Sequence, residues 1–467
     1  MSLGPFDRRT RRSRCITCAA THSKCSGSTP CTRCQTRGLE CLFPSPPQSK
    51  GAVIIKLDRA KIHTPSTFQP VRPQNPLPYV TAGYLFYFDL FVRTNSFTGR
   101  EPAFIADVQH LMKTASSNLS PHHPSRSLFN AMLALGAMQA HDQGAMSQHN
   151  NLSFALRSYH HSVVDLRSAV SNFSPSRRES IAWTTFFLGL FELLQDSSGQ
   201  KWLQHMVFGT AQALVASGPA ACRSGGMRTF FVQARTFEAC RSIIFNQPSF
   251  LSNPDWMSLT EKVCFSSTNL SGILKMVVLC SSLRVRTAEF TRAACPPVTT
   301  TLDSLQLSQA FDLALEGFNL RQSLDSWKLN TSPLPESQDE TLLSLAYYSA
   351  TSIYLSGNYD YDMAHWQAIG VAVPILSADQ IEEHFDAIVA TVKEALKGSS
   401  LSPLLFLFPL RVAGARAKLH WQRDAVTDLL QRVRRKFIVA DAMLEELREL
   451  WTRTVQQKLS SFYCLDS

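Results

Sequence analysis

Six cysteines fall within the 27 positions from Cys15 to Cys41, and no other feature of this 467-residue chain constrains its fold as tightly. The order is Cys15-Ile-Thr-Cys18, six residues, Cys25, five residues, Cys31-Thr-Arg-Cys34, six residues, Cys41, which makes two halves of the form C-x2-C-x6-C. A C-x2-C pair lets two thiolates from one turn of chain grip one ion, and zinc is the ion that prefers sulfur in a tetrahedron. Two tetrahedral zincs need eight sulfur contacts, so six sulfurs suffice when two are shared. The duplicated spacing suggests one shared sulfur from each half, and the first of each half, Cys15 and Cys31, is the choice made here. A disulfide framework belongs to secreted chains. A single ribbon on Cys15, Cys18, Cys31 and Cys34 would leave Cys25 and Cys41 idle. The two-zinc reading uses all six: Cys15, Cys18, Cys25, Cys31, Cys34 and Cys41.

Charge is concentrated on the same region. Residues 1–50 carry nine Lys and Arg against Asp7 and Glu40, a net +7 out of the chain's +10. Six thiolates around two zincs subtract about two charges, so the metallated module keeps about +5. That is the footprint that phosphate binding requires. The run Arg8-Arg-Thr-Arg-Arg-Ser-Arg14 makes an exposed basic arm able to grip phosphates or to act as an import signal.

Eight prolines between Pro44 and Pro78 exclude a continuous helix there. The stretch offers no heptads, so no coiled coil pairs two chains at that point. From about residue 80 the periodicity turns helical. Tyr84–Val92 is apolar on nearly every side, as in a deeply buried helix. Leu152, Leu156, Tyr159, Val163, Leu166 and Val170 form an amphipathic stripe, as do Ile381, Phe385, Ile388, Val392 and Leu396. The second stripe has a start signal in Ser377 and Gln380 with a Leu376–Ile381 staple, and Gly398 ends it. Roughly a dozen such segments occur without a convincing alternating strand. No repeat of fixed period supports a solenoid. The expected fold is all-α: a small two-zinc module, a Pro-rich linker and one large irregular helical domain.

At 44% hydrophobic and 18% charged, the chain can bury a globular core. The expectation is a soluble, intracellular protein: no apolar leader follows the start, and the apolar run Ile181–Leu194 is too short to span a bilayer. Cys222, Cys240, Cys264, Cys280, Cys295 and Cys464 lack pair spacing and read as reduced buried thiols. His122-His123 and His160-His161 read as loop and surface residues, and Glu192 with His205 as a satisfied buried pair. The run Arg432 to Lys436 and the acids Asp379, Glu382, Glu383 and Asp386 read as solvated helix faces. No phosphate loop, nucleophile elbow or H-E-x-x-H is present, so an enzyme is not expected.

The cysteine spacing resembles the fungal zinc binuclear cluster of fungal transcription factors. Pro30 before Cys31, Gly38 before Cys41, and Phe43-Pro44 after it are similar to that family. The resemblance implies two short helices holding two Zn2+ ions, Cys15 and Cys31 bridging, and a first helix that enters the major groove of double-stranded DNA. The family usually carries a basic run between its second and third cysteines. Here it is Ala19-Ala-Thr-His22-Ser-Lys24, where only Lys24 keeps the charge and His22 stands where a Lys is common. Lys24 is the best base-reading candidate, because Lys donates to guanine O6 and N7. Further candidate DNA contacts are His22, Arg11, Arg12, Arg14 and Arg33. Trp202–Gly209, Ala213–Gly218 and Phe408–Gly414 running on to Trp451 resemble the family's regulatory domain, with Gly209, Gly218 and Gly414 marking close approaches or helix ends.

Together these readings give a basic arm at 1–14, a zinc cluster at 15–44, a linker at 45–79 and a helical regulatory domain at 80–467. The expected function is a nuclear, sequence-specific regulator of RNA polymerase II genes that engages the transcription machinery. The resemblance points to a secondary-metabolite gene cluster as the target, with no membrane role. A homodimer would have to form without an evident coiled coil. The alternative is a zinc-containing protein-interaction co-regulator whose eroded helix no longer reads DNA.

Overall fold

The computed structural model describes residues 15, 17, 18, 25, 26, 28, 30–39, 41, 42, 78–98, 109, 110, 125–144, 148–199, 209–263, 269–293, 304–331 and 337–463. The chain divides into two compact units, Met1–Pro73 and Gln74–Ser467. Regular structure among the described residues is helical, and the nearest thing to a strand is one isolated parallel bridge between Ser96 and Leu401.

The first unit contributes a short helix, α1 (Thr32–Thr36). The second begins with α2 (Pro78–Arg93), α3 (Ser125–Asp142), α4 (Gln148–Ser171), α5 (Arg178–Gln195), α6 (Ala211–Ala221), α7 (Gly225–Ile244), α8 (Pro254–Val263) and α9 (Asn269–Ala293). It continues with α10 (Ser304–Asn330), α11 (Gln338–Asp360), α12 (Met363–Ala368), α13 (Ala378–Gly398), α14 (Leu407–Arg416), α15 (His420–Arg434) and α16 (Ala440–Tyr463).

In the second unit α3 is the hub of the early helices. α2, α4 and α5 all pack on it, and twelve of its residues are buried. The approach of α2 is close because Gly136 has no side chain: a Cβ there would lie 1.9 Å from the Tyr84 carbonyl oxygen. α2 turns Tyr84, Phe88, Phe91 and Val92 inward. Phe86, by contrast, is 64% exposed, so α2 is covered on one side rather than all round.

α4 corrects the sequence reading further. Its period is helical, but the buried line is Asn151, Ala155, Ser158, Ser162, Leu166 and Ala169, while Leu156 and Val170 are exposed. The helix is rotated away from the apolar stripe and buries its small residues, Ala155, Ser158, Ser162 and Ala169, instead. The buried hydroxyls find partners on neighbouring helices. Ser162 Oγ donates to the Ser127 carbonyl at 2.7 Å, and Tyr84 donates to Asn151 Oδ1 at 2.9 Å.

Aromatic rings carry the core from α5 into α7. Trp183 stacks on Phe187 at 5.4 Å and meets Phe230 edge-on at 5.1 Å, and Phe186 meets Phe237 at 5.3 Å. Such pairs add about 1 kcal/mol each beyond area burial. From α7 the core runs through α9 and α11 to α13 and α14, then through α15 to α16. Distant parts of the chain clasp here: Ser96 donates to Ser400 O at 2.9 Å, and Ser402 donates back to Ser96 O at 2.8 Å.

At the end of α7, Arg241 and Glu238 pair with side chains only 4% and 3% exposed. Arg241 also donates to Gln247 Oε1 and Pro248 O, and Ser249 donates to Glu238. The polar groups are thereby satisfied and the turn after α7 is held.

α13 starts as its sequence says, with the Ser377–Gln380 capping box complete. Phe385, Ile388 and Val392 are buried, whereas Ile381 and Leu396 lie at the margin. Asp379, Glu382, Glu383 and Asp386 are exposed. The helix ends because Ser399 is extended (φ −99°, ψ 162°), without a left-handed turn at Gly398. Gly218 does take φ 74° and kinks α6 before Pro219, and a Cβ at Gly414 would strike Leu447 at 2.5 Å.

His160 and His161 are exposed as expected. Glu192 is buried but accepts from Tyr159 on α4. Its expected partner His205 lies outside the described residues, as do His122, His123, Cys264, Cys295 and Cys464. Arg432 pairs with Asp428 and Arg434 with Asp441. Cys222, Cys240 and Cys280 are buried free thiols, and burial pushes the last two up to about 12.

Replacing Gly136 with Val should lower stability by about 3 kcal/mol, because the side chain would need the α2 backbone to move. Gly83 has open space around it, so Gly83→Ala should be neutral or stabilising by up to about 1 kcal/mol. Urea denaturation of the full chain followed by circular dichroism compares the two.

Candidate metal centre

In the first unit the sulfurs converge. Sγ of Cys15, Cys18, Cys25 and Cys31 lie within 4.8 Å of one another, and so do those of Cys15, Cys31, Cys34 and Cys41. Cys15 and Cys31 belong to both groups of four, the pair singled out from the duplicated spacing. Cys15, Cys18, Cys31 and Cys34 are at most 1% exposed, with Cys25 and Cys41 partly buried beside them.

The distances test whether zinc fits. A tetrahedron with arms of about 2.3 Å has edges of about 3.8 Å. Cys15–Cys31, Cys15–Cys34 and Cys18–Cys31 sulfurs stand 3.8, 3.7 and 3.7 Å apart. These are the edges of two sulfur tetrahedra that have the Cys15–Cys31 edge in common. An all-thiolate set of this size suits zinc over a hard cation.

Local chain geometry makes the site. Each C-x2-C turn folds its second backbone N–H onto its first sulfur: Cys18 N to Cys15 Sγ and Cys34 N to Cys31 Sγ, both 3.4 Å. Cys31 is also the N-cap of α1. These backbone donors favour the thiolate, so the Cys31 thiol is drawn down to about 6 and that of Cys15 is lowered too. Burial instead pushes Cys18 and Cys34 up. The two thiols drawn toward the thiolate in this way are the two common to both groups, where negative charge would face two cations at once.

The connection between the halves is pinned by Ser26, whose Oγ accepts from Thr32 N at 3.0 Å at the start of α1. After α1 the chain must return to the sulfurs within a few residues. Gly38, at φ 59°, makes that turn. Leu39 N donates to Cys34 O at 2.9 Å and Gly38 N to Gln35 O at 3.4 Å, the paired bonds of a Schellman motif. The turn delivers Cys41, whose sulfur accepts from Cys31 N at 3.2 Å. In the sequence Gly38 stands out only as a likeness to the family, whereas the sharper signal is a Gly two residues past a short helix, ahead of the last cysteine. Ser26 carried no comparable signal.

Of the candidate DNA contacts, Arg33 is on α1 between Cys31 and Cys34 and is half-exposed. Lys24, His22, Arg11, Arg12 and Arg14 lie outside the described residues. No described helix is long and apolar enough to cross a membrane.

Comparison with known proteins agrees with this geometry. Residues 14–50 match the fungal Zn(2)-Cys(6) binuclear cluster domain, and residues 85–461 match the fungal specific transcription factor domain. An uncharacterized protein of Emericella nidulans is 25% identical over 112 residues, a match covering 24% of each chain. The chain thus spans about a quarter of that curated relative's length in the match. No solved structure matches.

Elemental analysis of the full chain should return two zincs. Cys31→Ser should bring the content below one per chain, whereas Cys222→Ser, in the helical unit, should leave two. Gly38→Ala should weaken the module by about 1 kcal/mol, because a Cβ is strained at positive φ. Competition against a chelator should read this as roughly a fivefold loss of zinc affinity.

Proposed function

The chain belongs to the fungal specific transcription factor domain family, and on that premise we propose that it is a sequence-specific DNA-binding regulator of RNA polymerase II genes rather than an enzyme. The observation that carries the proposal is the pair of four-sulfur groups with Cys15 and Cys31 in common, set in the segment that holds +7 of the chain's charge. In this reading all six cysteines ligate two zinc ions. The zincs supply most of the module's folding energy, since some thirty residues bury too little apolar surface by themselves. Zinc's chemistry there is structural, and the chain's own residues make the contacts with DNA.

Arg11, Arg12, Arg14 and Arg33 are assigned to phosphates, which gives affinity without sequence information. Lys24 is assigned to a base edge, with His22 beside it. Action on genes places the protein in the nucleus with the transcription machinery as partner. The likeness to the family supports a biosynthetic gene cluster for a secondary metabolite as the target. Genome-wide occupancy beside transcript changes after deletion tests that finer reading.

One observation favours a second reading. A single Lys in the six residues between Cys18 and Cys25 leaves little charge where a major-groove helix needs it. A co-regulator that holds zinc but contacts proteins would have that composition. Selection from random duplexes with the zinc-loaded full chain separates the two: enrichment of a motif supports the DNA reader, and no enrichment supports the co-regulator. For a DNA reader, Lys24→Ala should cost about 1–3 kcal/mol at one base position and relax preference there. Arg11→Ala or Arg12→Ala should weaken all sequences alike and reduce the salt slope by about one, measured by titration at several salt concentrations.

A further inference from the structure

The helical unit holds a cavity of about 410 Å³ among α7, α8, α9 and the short turn Phe250–Ser252. Its walls include Leu251, Leu274, Val278 and Leu279, with Ala239 leaving room on α7. The polar groups are few and graded by depth. Arg235 and Ser271 are 5% and 8% exposed, and Arg235 Nη1 donates to Ser271 Oγ at 3.1 Å. At the mouth, Lys275 of α9 pairs with Glu261 of α8 at 2.7 Å, both well exposed.

A guanidinium placed against apolar walls carries a desolvation cost that a leucine or methionine there would avoid. Binding sites for small molecules have this composition: concave, mostly apolar, 300–1,000 Å³ as a rough range, with a few placed polar groups that fix orientation. The charged side chains lining the cavity, Arg235, Lys275 and Glu261, sum to one positive charge.

We propose that this cavity binds a small amphipathic carboxylate. Its apolar chain or ring lies along Leu251, Leu274, Val278 and Leu279. Its carboxylate reaches the Arg235 guanidinium, a donor fork that matches carboxylate geometry, and the Ser271 hydroxyl. Such a ligand would lie between α7, α8 and α9, beneath the Lys275–Glu261 pair at the mouth. The site gives the helical unit an effector function of its own, independent of whether the zinc module reads DNA.

Calorimetric titration of the full chain with decanoate, and with 1-decanol as the uncharged match, tests it. One decanoate should bind per chain, at least tenfold more tightly than decanol. Leu279→Trp fills the cavity from a half-buried wall position and should abolish decanoate binding while the melting temperature holds. Met257→Trp, on α8, is the second filling variant if the first folds poorly. Arg235→Gln should erase the preference for the acid over the alcohol. Cys31→Ser should leave decanoate binding intact, which keeps this result separate from the DNA reading. The proposal is overturned if wild type shows no saturable decanoate binding, if a folded filling variant binds it unchanged, or if decanol binds equally well.

Discussion

Six thiols brought to within a few ångströms of one another cannot all ionise unless cations stand between them. That constraint governs the N-terminal unit. Its described segment has one five-residue helix, no aromatic core and two exposed leucines, Leu39 and Leu42. Sulfur–cation attraction takes the place that apolar burial holds in a larger domain. Every local device noted there serves it: the backbone N–H groups that acidify Cys15 and Cys31, the serine that pins the connection, and the left-handed glycine that turns the chain back. A DNA-contacting surface needs a rigid base, and here the base is metal-dependent in a way the helical unit is not.

The helical unit rests on a different principle, the close approach of backbones. Gly136 against the Tyr84 carbonyl lets α2 and α3 meet backbone to backbone, and Gly414 leaves the space that the Leu447 side chain fills. Dispersion then comes from backbone atoms as much as from side chains. The α5–α7 region is filled differently, by the rings of Trp183, Phe186, Phe187, Phe230 and Phe237. Clasps such as Ser96 with Ser400 and Ser402 join segments some three hundred residues apart in sequence. The second unit therefore has one continuous core rather than a string of local ones.

Much of this was legible beforehand. The all-helical class, the capping box at Ser377, the close approach at Gly414 and the convergence of six cysteines follow from local rules that tertiary context did not override. The face of α4 was not legible, because a hydrophobic stripe at Leu156 and Val170 ranks residues by apolarity. The packing partner selected by size instead, and the smallest residues won. Phe86 misled in the same way: nothing in an apolar run says which ring will stay in water. Gly38 was visible as a residue but not as a turn, because the helix before it is too short to announce its own end. Cavity chemistry was the least legible of all. Arg235 and Ser271 are 36 positions apart, on different helices, and only the packing of α7 against α9 brings them together.

Sharing an edge between two tetrahedra has an evolutionary corollary. Neither half of the C-x2-C-x6-C duplication can decay freely, since each would lend a sulfur to its twin, so altering Cys15 or Cys31 would disable both repeats. Variation tolerated by such a module is confined to the spacers between thiols, of which the described residues Thr32 and 35–39 are turned outward. Drift there can re-aim recognition without touching the scaffold.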